Sequence, residues 1–180
     1  KNELICLRSS AAIALISMNS SMKEQGLQLR VNSGFRSFNK QKLIHKEYAP
    51  IARVVKYPRV APAGHSEHQS GLAVDVASEL SPGKFEDTEE SKWLKDNAHL
   101  YGFIVSYPEG EEDKTGYMYE PWHLRYVGIE NAKILKEAKY TLAFKPAYYK
   151  KKELLLTLEN LKQKLQLQGY FNNYIFPIGG

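Results

Sequence analysis

Two histidines and an aspartate in this chain have the types and spacing of a metal site. Residues 66–75 read Ser-Glu-His-Gln-Ser-Gly-Leu-Ala-Val-Asp, with His68 seven residues before Asp75. The run from Gly71 to Ala77 reads as a short buried strand, and side chains along a strand alternate between its faces. Leu72, Val74 and Val76 then face a core, and Asp75 stands out at the sheet surface beside the small Ala73. A continuous strand would put His68 on the opposite face. The Ser70-Gly71 step, free to take positive φ, is where the chain can turn His68 back toward Asp75. One imidazole and one carboxylate so placed are two of the three protein ligands of an open zinc site.

A second segment, Glu120-Pro-Trp-His-Leu-Arg125, offers His123 as the third ligand. Two histidines and a carboxylate, with a fourth position left for water, suit catalytic zinc, because structural zinc normally has four protein ligands. Glu120 precedes His123 by three residues, close enough to reach that water rather than the metal. Such a carboxylate can take a proton from the water and later give it to a departing amine. In the third segment, Ser33-Gly-Phe-Arg36-Ser-x-x-x-Gln41, Gly34 permits a tight bend after a strand and sets Arg36 at a strand-to-helix corner. A guanidinium there can bind a carboxylate bidentately or stabilise an oxyanion.

Other residues read both ways. His65 competes with His68 as a ligand or lines the site, whereas His45 and His99 read as packing or surface residues. Trp122 is a core residue or a substrate wall. Gln41 belongs to the site or only decorates its helix. Ser66 turns its loop or belongs to the site, and its place two residues before His68 favours the site. Arg125 and Tyr126 continue a strand and read as structural.

The elements that must hold these residues follow from periodicity and breakers. A first helix is capped by Ser9 or Ser10, carries Ile13, Leu15, Ile16 and Met18, and stops at Gly26. Leu27, Leu29 and Val31 alternate as a strand with one buried face. A second helix runs from about Asn39 to Tyr48, then a long loop with Pro50, Pro58 and Pro62 leads to the histidine segment. Thr88 caps a helix carrying Trp93, Leu94, Ala98 and Leu100, which Gly102 ends. Strands are expected at 103–107 and 117–127, and a helix at about 130–140. Irregular alternation with short turns gives an α+β class: a small, mainly antiparallel sheet with flanking helices. Residues 1–144 form one zinc domain, and 145–180 a basic C-terminal helical extension.

Composition sets outer bounds. With 43% hydrophobic and 12% aromatic residues among 180, the chain can build a core, which excludes wholesale disorder. No apolar stretch is long enough to span a bilayer. The single Cys6 excludes an internal disulfide framework and a cysteine-rich zinc site. Seven lysines and two glutamates between residues 139 and 180 account for the whole net charge of +5, so the body is neutral. Any anionic-polymer or membrane-surface contact is therefore expected from this tail. Its Leu154, Leu158, Leu161 and Leu165 recur at helical spacing, as a helix that packs on the body or docks elsewhere.

Taken together, the segments resemble the VanY/LdcB family of zinc peptidases, which are D-alanyl-D-alanine and L,D-carboxypeptidases. The resemblance rests on S-G-F-R-S-x-x-x-Q at 33–41, S-E-H-Q-S-G-L-A-V-D at 66–75 and E-P-W-H-L-R-Y-V-G at 120–128. Y-G-F-I-V-S-Y-P and T-G-Y-M-Y-E precede the last motif, and the likeness covers roughly residues 7–139. It implies a small α+β zinc domain with His68, Asp75 and His123 as ligands and Glu120 as general base. Arg36 would hold the scissile carbonyl or the terminal carboxylate, with Gln41 and Ser66 in the substrate pocket.

The implied activity is removal of a C-terminal D-alanine from peptidoglycan stem peptides, with no nucleic-acid partner. The implied place is outside the cytoplasm, in periplasm or cell wall, with a targeting segment absent from this chain. The alternatives are a D-Ala-D-Ala dipeptidase or endopeptidase, and a non-catalytic zinc-dependent wall-binding module, which would have no need of Glu120. Ser106 departs from the pattern: many relatives carry an arginine before Tyr-Pro, so a substrate or structural contact is expected to be missing.

Overall fold

Among the described residues, four short strands form one sheet in the order β1-β2-β4-β3, with every neighbouring pair antiparallel. They are β1 (Leu29–Ser33), β2 (Ala73–Ser78), β3 (Phe103–Val105) and β4 (His123–Tyr126). The structure is a computed structural model describing residues 4–138, residue 53 excepted. Helices α1 (Ser9–Lys23), α2 (Phe38–Ala52), α3 (Glu89–Asn97), α4 (Glu112–Thr115) and α5 (Ile129–Ala138) flank the sheet. This is the α+β class expected from the sequence. No helix among the described residues is long and apolar enough to cross a membrane. The 144/145 boundary and the basic extension lie outside the described residues.

One sheet face and α1 make the core. Ala11, Leu15, Met18 and Met22 recur at helical spacing along α1 and are buried. Leu15, Met18 and Met22 pack with Leu29, Val74, Val76, Leu94, Phe103 and Leu124. Each such side chain contributes about 1.5–3 kcal/mol of transfer free energy. Ile13 and Ile16 lie off this stripe and are both 68% exposed, contrary to the expected apolar face. Neither serine caps α1. The N-cap is Arg8, which makes no side-chain cap. Its backbone N–H donates to Gly71 O at 2.8 Å and its Nε to Ser70 O at 2.9 Å, so tertiary bonds to the histidine loop fix the helix start.

Thr88 does cap α3, its hydroxyl accepting from the Ser91 N–H at 3.2 Å. Helix α2 continues past the expected end, with Pro50 inside it. In the last turn, the donor that proline lacks costs one hydrogen bond and leaves the rest of the helix intact. The strand expected at 117–127 shrinks to β4. Pro121 has no donor, and the His123 N–H bonds to Glu120 O at 3.1 Å, closing a turn where pairing would have continued.

Candidate active site

Asp75 sits mid-sheet, opposite Ser33 on β1 and His123 on β4. Direct cross-strand partners share a face, so Ser33, Asp75 and His123 form one row. A register shift between Val31 and Ser33 sets Ser33 into it. Val74 and Val76, at 0% and 1% exposure, point into the core as alternation requires, and Asp75 opens to the other side. His68 lies on a 3-10 turn, Glu67–Ser70, that ends at Gly71 with φ of +71°. This left-handed residue reverses the chain between the turn and β2, as the sequence suggested.

The reversal brings His68 Nε2 to 3.1 Å from Asp75 Oδ2, while His123 Nδ1 lies 2.9 Å from Asp75 Oδ1. One donor atom from each of His68, Asp75 and His123 falls within 4.8 Å of the others. The remaining nitrogens of both rings are anchored. His68 Nδ1 donates to Gly34 O at 2.7 Å, and His123 Nε2 donates to Glu67 Oε2 at 2.9 Å. A carbonyl and a carboxylate can only accept here, so the ring protons are held there and the converging nitrogens can present lone pairs. Two imidazole lone pairs facing one carboxylate fit a small divalent cation such as zinc, with hydrogen-bonded ring nitrogens behind the ligands.

Burial holds His68 below its ordinary pKa, hence neutral near pH 7, outweighing Asp75. On His123 burial opposes the charged form, but the bonds to Asp75 and Glu67 outweigh it and raise the ring to about 10. The ring therefore carries both protons near pH 7, and a cation ligated by Nδ1 would have to displace the proton there. Burial likewise opposes ionisation of Asp75, yet the hydrogen bond from His123 and the positive charge of that ring hold its carboxyl well below the usual range.

Glu120 stands at the turn that leads into β4, its N–H donating to Tyr107 O at 2.9 Å. It is 6% exposed, and burial pushes its carboxyl up to about 7 against the pull of His123, Arg59 and Arg36. A carboxyl poised near neutrality suits proton transfer in both directions. Arg36 Nη2 pairs with Asp75 Oδ2 at 2.7 Å, and Arg36 Nε donates to Ser33 Oγ at 3.0 Å. Its Nη1 has only a 3.5 Å contact with Gln41 Oε1. Gln41, 1% exposed, does more than decorate its helix: Nε2 donates to Ala61 O at 2.7 Å, bracing α2 to the loop before His68.

A cleft of about 770 Å³ opens over the cluster and is lined by Arg36, Gln41, Ser66, Glu120 and Trp122 among others. The structure thus brings His68, Asp75, His123, Glu120 and Arg36, with Gln41, Ser66 and Trp122, to one cleft. Trp122 combines both of its readings, packing on the core and walling the cleft. His65 is exposed and stands outside the converging group. Sequence reasoning missed Glu67, although it adjoins His68, and also Tyr107, whose ring lies 4.9 Å from that of His123. It missed Arg59 too, whose guanidinium lies over Trp122 at 5.4 Å. At Ser106, where the sequence departs from the family pattern, the hydroxyl donates to Glu67 Oε2 at 2.7 Å.

Comparison with known proteins agrees with this geometry. The chain is 44% identical over 142 residues to YodJ of Bacillus subtilis (strain 168), an alignment covering 76% of this chain and 52% of that protein. It therefore spans about half the length of that relative. Among solved structures it matches the LdcB LD-carboxypeptidase with a TM-score of 0.70 and 41% identity, covering 79% of this chain and 71% of that one. A VanY D,D-pentapeptidase in complex with Zn(II) matches with a TM-score of 0.67 and 32% identity, covering 76% and 81%. The profile of the VanY D-alanyl-D-alanine carboxypeptidase family matches residues 4–129, and the chain belongs to that family.

Proposed function

We propose that this chain is a zinc-dependent carboxypeptidase that removes the C-terminal D-alanine from peptidoglycan stem peptides. The observation that carries this reading is the convergence of His68, Asp75 and His123 within 4.8 Å, in a cleft that also holds the buried Glu120. The VanY relative with Zn(II) and the LdcB LD-carboxypeptidase support the metal and the reaction class.

His68 Nε2, His123 Nδ1 and an Asp75 oxygen would hold the metal, leaving room for substrate on the cleft side. Bound zinc supplies Lewis acidity for the scissile carbonyl and acidifies water. Glu120 takes the proton of the attacking water and delivers it to the amine of the departing D-alanine. Arg36, steadied by Asp75 and Ser33, offers its less engaged Nη1 edge to the scissile carbonyl or the substrate carboxylate. Trp122 and Ser66 form the walls that orient the peptide. Such a substrate lies outside the cytoplasmic membrane, in periplasm or cell wall, and the chain would work there. The seven lysines from residue 139 onward favour an accessory contact with an anionic wall polymer or membrane surface.

Mass spectrometry of defined tetrapeptide and pentapeptide muropeptides, incubated with the zinc-loaded protein, tests the reading. Loss of one alanine from the tetrapeptide alone establishes L,D-carboxypeptidase activity, and loss from the pentapeptide alone D,D activity. Release of D-Ala-D-Ala would instead make the chain a dipeptidase. An intact substrate in every case would leave a zinc-dependent wall-binding module.

A further inference from the structure

The geometry points to Glu67 as a positioning residue: its carboxylate fixes the tautomer and orientation of His123, so that Nδ1 faces the metal position. This rests on the zinc site proposed above. Glu67 and His123 are 56 residues apart in the chain, yet Glu67 Oε2 accepts from His123 Nε2 at 2.9 Å. The same oxygen accepts from the Ser106 hydroxyl at 2.7 Å, and Ser106 is fully buried. On the other side Arg125 Nη1 lies 3.9 Å from Glu67 Oε1, and the Glu67 side chain is 15% exposed. Two segments therefore clamp the carboxylate that the 3-10 turn presents: the residue after β3, through Ser106, and β4, through His123 and Arg125.

The chain layout gives the clamp its consequence. Glu67 and His68 are consecutive, and their side chains diverge from one turn, His68 to the metal position and Glu67 behind the opposite ligand. The turn thus supplies one ligand and braces another, locking the distance between the two imidazoles, whose ring centres are 4.9 Å apart. A neutral imidazole has two tautomers, and only the one protonated on Nε2 can ligate through Nδ1. A carboxylate behind the ring selects that tautomer and raises the ligand's basicity, and loss of such a partner typically lowers metal affinity about 10–100-fold. Ser106, fully buried and not among the residues lining the cleft, serves this clamp.

The test compares Glu67→Ala, Glu67→Gln and Ser106→Ala with the wild-type chain. Zinc affinity is measured by chelator competition, and His123 protonation by long-range proton–nitrogen NMR of the zinc-loaded imidazoles. Glu67→Ala is expected to bind zinc about 10–100-fold more weakly and to lose the single Nε2–H tautomer of His123. Glu67→Gln, whose amide oxygen can still accept, should recover most of the affinity and keep the tautomer. Ser106→Ala should fall between that variant and the wild type. If Glu67→Ala does not fold, Glu67→Met, which keeps the bulk of the side chain and removes the carboxylate, decides in its place, and wild-type affinity and tautomer in that variant would overturn the role. Wild-type affinity and tautomer in Glu67→Ala would overturn it while leaving the zinc site standing. Absence of zinc binding in the wild type would overturn both.

Discussion

Asp75 and His123 are direct partners across the antiparallel pairing of β2 with β4, and His123 Nδ1 lies 2.9 Å from Asp75 Oδ1. Backbone pairing, and not a mobile loop, therefore sets the distance between two of the three candidate ligands. The third, His68, comes from the turn ended by Gly71. Substituting any of the three by alanine leaves two donors, too few for a tight zinc site. We expect His68→Ala, Asp75→Ala and His123→Ala each to lose zinc and activity together. Metal analysis after gel filtration checks this, and full occupancy in one variant would remove that residue from the ligand set.

Glu120 should behave differently. Its carboxyl shares the cleft with the three donors but stands outside the converging group. Glu120→Gln keeps the shape and removes the base, so kcat should fall by about 10²–10⁴-fold with zinc content unchanged. Zinc lost along with activity would make Glu120 a ligand.

The same carboxyl predicts a pH dependence. Burial, the dominant influence, pushes Glu120 up to about 7. A neighbouring dication favours the ionised form and pulls the value down. The base works only when deprotonated, so kcat/KM must be lost as pH falls through this pKa. For the zinc-loaded protein we expect an acid limb with its midpoint below about 7, approaching tenfold loss per pH unit. A pH–rate profile flat down to pH 4, or a midpoint above 7, would contradict the assignment.

The candidate ligands were legible in the sequence because the facts that bring Asp75 and His68 together are local. Alternation in β2 sends Val74 and Val76 inward and Asp75 outward, and a glycine marks where the chain reverses. Glu67 and Ser106 were not legible, because their meaning comes from a bond between residues 39 apart that only the strand order β1-β2-β4-β3 brings together. The start of α1 was misread for a related reason. Local propensity favoured a serine cap, whereas bonds from Arg8 to Ser70 and Gly71 decided where the helix begins. The strand expected at 117–127 failed where it matters most, since the turn that interrupts it brings Glu120 into the cleft.

Arg36 links the candidate ligand Asp75 to the cleft wall. Its guanidinium holds Asp75 Oδ2 at 2.7 Å and Ser33 Oγ at 3.0 Å, with Nη1 reaching Gln41. Arg36→Ala removes a positive charge from the cleft but leaves all three candidate ligands. We expect kcat/KM to drop about 10²–10³-fold while zinc remains bound. Steady-state kinetics with parallel metal analysis checks this, and unchanged kinetics would assign Arg36 to holding Asp75 alone.

Gly34 links the amino-terminal segment to the metal site, and its substitution should be felt there. A Cβ at this position would lie 2.5 Å from Cys6 O and 2.7 Å from Ile5 Cγ2. The Cys6 carbonyl cannot simply retreat, because it accepts the Phe35 N–H at 2.7 Å. Either the 5–6 segment moves or the Gly34 peptide does, and the Gly34 carbonyl is the acceptor for His68 Nδ1 at 2.7 Å. Gly34→Ala should therefore cost about 1–3 kcal/mol of stability. It should also weaken zinc binding, by loosening the hydrogen bond that orients His68. Thermal melts with and without zinc separate the two effects: a lower Tm in both conditions reports the steric cost, and a smaller gain on adding zinc reports the loosened histidine. A variant with wild-type Tm and wild-type zinc stabilisation would mean that the amino-terminal segment yields freely, and that the Gly34 carbonyl holds His68 without its help.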